Sequence, residues 1–195
     1  ISNIGGSLKE LILPRSDIDP EVADNFVQSI GCCTNLKKLD LQSSLYPSTI
    51  GWHTFFDNMK SFNSLRYLRL DESNLDDDDI APMIDALTRL SSLKSLSLYE
   101  NNLVTAQGWQ MLASVLQHPG CTLEELNLVD YGMPVFYTDV YENSNNIGDD
   151  VIVSIANALV NNTSLKTMQV GRNHPDITEK GWTTLANVLC NTSSI

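Results

Sequence analysis

Positive charge is scarce in this chain, which has 12 lysines and arginines against 24 aspartates and glutamates, a formal net charge of -12. So acidic a surface is unsuited to nucleic-acid backbones and anionic membranes, and it points to another protein with a basic surface as the partner. Long apolar runs are lacking as well. None approaches the about 18 residues needed to span a bilayer, and the amino end has neither the basic nor the apolar block of a signal peptide. No membrane insertion and a cytoplasmic location are expected. Cysteine is sparse: Cys32, Cys33, Cys121 and Cys190 lack the C-x-x-C or Cys/His spacing of a metal site, and adjacent Cys32 and Cys33 cannot readily bond each other. Buried free thiols in a reducing compartment are the expectation. Sequons at Asn161, Asn162 and Asn191 point the other way, towards an extracellular receptor arm. Catalytic motifs are missing too. His53, His118 and His174 occupy unrelated positions, and neither G-x-S-x-G, H-E-x-x-H nor a glycine-rich phosphate loop occurs, so no catalytic residue, cofactor or metal is expected.

What the chain does have is a repeated apolar run, Leu-x-x-Leu-x-Leu. It begins at Leu8, Leu36, Leu65, Leu93, Leu123 and Leu165, at intervals of 28, 29, 28, 30 and 42 residues. A fixed period of this length defines a stacked array, so residues 1–195 read as one domain. The last positions of each run alternate, as in a strand with leucines on one side. Apolar residues at a spacing of four follow, for example Val22, Phe26 and Ile30, or Gly108, Leu112 and Leu116, and mark one face of a helix. Strands that return through helices must be parallel. Gly51-Trp52, Gly108-Trp109 and Gly181-Trp182 stand at helix entrances, where the tryptophans are expected to pack. Ser16, Ser44, Ser73 and Asn101 fill a polar slot at the bend, where a side chain can bond backbone groups. The Asp76 to Asp79 run is expected just ahead of the third helix, where carboxylates favour the helix dipole over a calcium loop. The chain begins without Met, and Ile195 stands where a seventh run would start, so a piece of a longer chain is expected.

These motifs resemble leucine-rich repeats of the ribonuclease-inhibitor-like subfamily, Leu93 to Leu116 being the best copy. The resemblance implies an α/β horseshoe of about six strand-helix repeats, with a parallel concave sheet and convex helices. Serine in place of asparagine in the first three slots, and Pro175 in the sixth, depart from that pattern. Ran GTPase-activating proteins are built from similar repeats, so a regulator of a small GTPase is an alternative, although its catalytic residues find no match here.

In a horseshoe, the residues between and just after the leucines lie on the concave face. Adjacent strands stand about 4.8 Å apart, so Asp71, Glu72, Glu100, Glu125 and Asp130 are expected to form one acidic patch containing Tyr67, Arg69 and Tyr99. Tyrosines among carboxylates suit recognition of a basic protein surface. The long interval contains a 14-residue insertion, residues 131–144, whose removal restores a repeat of 42 minus 14, or 28, residues. Tyr131, Phe136, Tyr137 and Tyr141 make it too aromatic for a solvent-bridging loop, and a docked partner is the expected reason. The chain reads as a non-catalytic protein-interaction module, a scaffold or sensor domain of a larger complex. A core substitution such as Leu96→Ala is expected to be far more damaging than one at face residue Ser97.

Overall fold

The computed structural model describes residues 4–44, 46–129, 146–170 and 177–191. After a short 3-10 turn at Ile4–Gly6, six strands alternate with six helices: β1 (Glu10–Ile12), α1 (Pro20–Ile30), β2 (Lys38–Asp40), α2 (Thr49–Met59), β3 (Tyr67–Arg69), α3 (Asp77–Leu87), β4 (Ser95–Ser97), α4 (Ala106–Gln117), β5 (Glu125–Asn127), α5 (Asp149–Leu159), β6 (Thr167–Gln169) and α6 (Glu179–Asn191). The sheet is wholly parallel, in the order β1-β2-β3-β4-β5-β6. Its register places Leu11, Leu39, Leu68, Leu96, Leu126 and Met168 on one rung, so equivalent leucines of successive repeats stack. Helices about 10 Å wide cannot follow strands spaced about 4.8 Å apart without curvature, so the helices take the outside of the arc. The expected horseshoe of leucine-rich-repeat-like units is thus the observed architecture.

One continuous core runs between sheet and helices, from Leu36, Leu39 and Leu41 through Phe55, Phe56 and Met59 to Leu126, Ile152 and Ile155. Trp52 and Trp109 are buried within it, and Trp52 packs edge-on against Phe55 and stacks with Phe56. Trp182 departs from expectation: it is 46% exposed, as are Val22 at 53% and Leu189 at 57%. The reason is position, because α1 and α6 each pack against a helix on one side only among the described residues.

The polar slot works as the spacing predicts. The Asn101 amide donates to the Leu70 and Leu98 carbonyls at 2.9 and 3.0 Å, while its oxygen accepts from the Ser73 and Leu75 amides at 3.2 Å. Ser44 donates to the carbonyls of Leu13 and Gln42. Asp76 caps α3 in a reciprocal box with Asp79, so Asp77, Asp78 and Asp79 form the first turn of the helix rather than preceding it. Pro82 within α3 has no N–H to offer the Asp78 carbonyl four residues back, and His53 of α2 lies 3.2 Å from that oxygen and fills the gap.

One further expectation changes, and another falls outside the described residues. The thiols form no disulfide among the described residues but are not uniformly buried: Cys32 and Cys190 are exposed, and Cys33 and Cys121 are half-buried. They lie on or beside the turns that follow helices, where residues such as Phe62 and Leu90 take the core positions. The insertion at 131–144 lies outside the described residues, together with its Tyr131, Phe136, Tyr137 and Tyr141 and the preceding Asp130. The chain is described again from Asn146, with Ile147 buried and Gly148 capping α5.

Candidate functional site

Each strand contributes its two outward residues to the concave face, and the register sets their neighbours. One row runs Glu10, Lys38, Tyr67, Ser95, Glu125, Thr167, and the next runs Ile12, Asp40, Arg69, Ser97, Asn127, Gln169. In the first row the Lys38 ammonium lies 4.9 Å from the centre of the Tyr67 ring, a cation–π contact. In the second, Arg69 Nε donates to Asp71 at 2.5 Å and Nη1 lies 3.8 Å from Asp40.

Asp71 is therefore not the presented charge that its sequence position promised. It is fully buried, and its second oxygen accepts the Tyr99 amide at 2.9 Å. Burial pushes its carboxyl above the usual range, opposed by hydrogen bonds from Ser97, Arg69 and the Tyr99 amide. Ser97 is likewise buried and accepts from the Asn127 amide at 3.0 Å, so it belongs to a network rather than to a free face. Burial also pushes the Tyr67 phenol up; Arg69 opposes this, while Asp40, Asp71 and Glu125 reinforce it.

Past the third leucine the chain turns through left-handed residues at equivalent places in four repeats, Arg15, Ser43, Glu72 and Glu100, with φ of 52, 49, 52 and 52°. The amides of Arg15, Ser43 and Glu72 continue the ladder by donating to the carbonyls of Gln42, Asp71 and Tyr99 in the next repeat. Glu72 accepts from Gln42 at 2.7 Å, and Glu100 accepts from the Tyr99 hydroxyl at 2.6 Å. These contacts hold the rim carboxylates in place.

The structure thus brings Tyr67, Arg69, Tyr99, Glu72, Glu100 and Glu125 onto one face, Glu125 exposed and the others half-buried. Tyr67, Arg69, Ser95, Ser97, Glu125, Asn127, Thr167 and Gln169 line an open basin of about 260 Å³. Ser95, Asn127, Thr167 and Gln169 were not singled out as contacts in the sequence, because short polar residues between leucines carry no signal until the register makes them neighbours. Among the described residues no group of three His, Cys, Asp or Glu is placed to hold a metal ion. His53 serves the Asp78 carbonyl, and His118 Nδ1 accepts the Gly120 amide.

The fold defines the chain as a leucine-rich-repeat-like solenoid. Among solved structures it is similar to that of leiomodin-1 actin-binding site 2, with 18% identity, 89% of this chain and 86% of that chain covered, and a TM-score of 0.57. It is also similar to a tropomodulin C-terminal domain from Caenorhabditis elegans, with 14% identity, coverage of 90% and 93%, and a TM-score of 0.57. At such identities the likeness establishes the fold. No family model and no curated protein matches the sequence. These neighbours overturn the ribonuclease-inhibitor-like assignment. Its physical weakness was that the matched leucines are core positions, which related strand-helix arrays share whatever their subfamily.

Proposed function

We propose that the chain is a non-catalytic protein-binding module that receives a basic surface of its partner on the concave face, within a larger intracellular complex. The observation that carries this reading is the arrangement of Tyr67, Arg69 and Glu125 around a basin, with Tyr99 further along the same face, on a sheet already held rigid by the Asp40, Arg69, Asp71 and Ser97 network. Aromatic area on a rigid scaffold binds at small entropic loss, and the carboxylates choose the partner and speed encounter. The insertion at 131–144, with Asp130, which follows β5 in the sequence, is the second proposed contact.

Actin is the first partner to test, because the leiomodin-1 structure that shares this fold is an actin-binding site. The purified chain is sedimented with filamentous actin and titrated against monomeric actin, beside the triple variant Glu72→Lys, Glu100→Lys, Glu125→Lys. Saturable binding that the triple variant loses supports the concave-face reading with actin as partner. Binding that the variant retains removes the concave face, and no binding to either form removes actin.

A further inference from the structure

The residue after the first leucine of each run forms a line of its own along the amino-terminal rim of the sheet: Lys9, Lys37, Arg66, Lys94, Glu124 and Lys166. The backbone stacks them directly, for the amide of each donates to the carbonyl of the one before, at 2.6, 2.9, 2.9, 2.7 and 2.8 Å in turn. Five of the 12 basic residues of the chain therefore stand on one ridge, all five exposed, with a rung about 4.8 Å from the next. Lys38 stands beside Lys37 and adds to the same edge.

Glu124 is the one acid in the line, and it is already occupied. Lys94 and Lys166 lie 2.9 and 2.6 Å from its two oxygens and hold its carboxyl down at about 2. Among the described residues no carboxylate lies within ion-pair distance of Lys9, Lys37 or Arg66, which leaves three neighbouring cations uncompensated in a strongly acidic protein. Most of the acids stand at the opposite ends of the strands, where the helices begin, as in Asp76 to Asp79 and Asp149-Asp150, while exposed Glu10 and Glu125 flank the rim from the concave face. The acids at the helix starts, a strand plus a turn away, lie beyond the Debye length of about 8 Å and so offset the rim little in physiological salt.

We propose that this rim is a second interaction surface, separate from the concave basin, and that it takes a short acidic segment of a protein. A compact acidic segment can sit within the near field of three or four cations. A nucleic acid or an anionic membrane is larger than the rim and meets the charge of the whole chain, which repels it.

The probe is a fluorescent poly-glutamate peptide, followed by anisotropy at low and at physiological ionic strength. Wild-type chain is compared with Lys9→Ser, Lys37→Ser, Arg66→Ser and with a charge-matched control, Arg15→Ser, Lys60→Ser, Lys180→Ser, each checked by thermal melting. The rim variant is expected to bind about tenfold more weakly and the control nearly as wild type, with binding weakened by salt. Equal weakening by both variants, or no binding at low ionic strength, overturns the proposal. So does tighter binding of an oligothymidylate or of phosphatidylserine vesicles through the same three residues.

Discussion

Among individual residues, Asp79 ties stability to pH through burial. It is 2% exposed and one of its oxygens finds no hydrogen-bond partner among the described residues. Burial lifts its carboxyl from 3.8 to about 6, opposed by the Asp76 amide and by His53 and reinforced by Asp76 and Asp78. The folded protein thus holds this proton more tightly than the unfolded chain does. Its stabilising contribution is fully present below the unfolded value of 3.8 and is lost as pH rises through about 6. Asp79→Asn should therefore raise stability above about pH 7, by on the order of 2 kcal/mol, and flatten the melting profile between about pH 4 and 7. Melts of both proteins across that range check this, and parallel profiles contradict it. Leu96→Ala should lose about 2 to 5 kcal/mol in denaturant titrations. Ser97→Ala should lose about 1 to 3 kcal/mol rather than the little its sequence position implied, because it strips partners from Asp71 and Asn127. The leucines were legible from spacing alone. The polar network was not, because it depends on which strands lie side by side.

Helices and turns are tied between repeats by a device that explains the glycine of each Gly-Trp pair. An aspartate oxygen accepts the amide of the residue three before the glycine, and the other oxygen accepts its hydroxyl: Asp24 with Ser48 at 2.9 and 2.7 Å, Asp77 with Thr105 at 2.8 and 2.6 Å, and Asp149 with Thr178 at 2.8 and 2.6 Å. These clasps join the first repeat to the second, the third to the fourth and the fifth to the sixth. A methyl group on Gly108 would stand 2.4 Å from Asp77 Oδ1 and 2.7 Å from Val104 Cγ1, so only glycine admits the approach. Gly108→Ala should destabilise by about 1 to 3 kcal/mol. Added to Asp77→Ala it should cost less than the sum of the two, since the clash and the clasp share one oxygen. A double-mutant cycle by urea denaturation measures this, and simple additivity contradicts it. The sequence displayed the Gly-Trp pairs but hid their aspartates, whose distances along the chain, 24, 28 and 29 residues to the Ser or Thr, acquire meaning only when the helices are stacked.

At the scale of the molecule, the repeat period fixed the order of the sheet, because each helix returns the chain to the adjacent edge. Composition was less informative, since a net charge of -12 conceals a basic rim and a concave face whose central carboxylate, Asp71, is already engaged. Excising residues 131–144 should leave the melting temperature nearly unchanged, because the repeat closes without them, while weakening partner binding if they dock it. The most direct test of the concave-face reading is photo-crosslinking in the cells that make the protein, from a benzophenone amino acid placed at Tyr99 and, separately, at Met111, which is exposed on α4 of the convex layer. A discrete protein adduct from position 99, lost with Glu72→Lys, Glu100→Lys, Glu125→Lys and missing from position 111, is the predicted result. An adduct formed from position 111 and not from position 99 would contradict it.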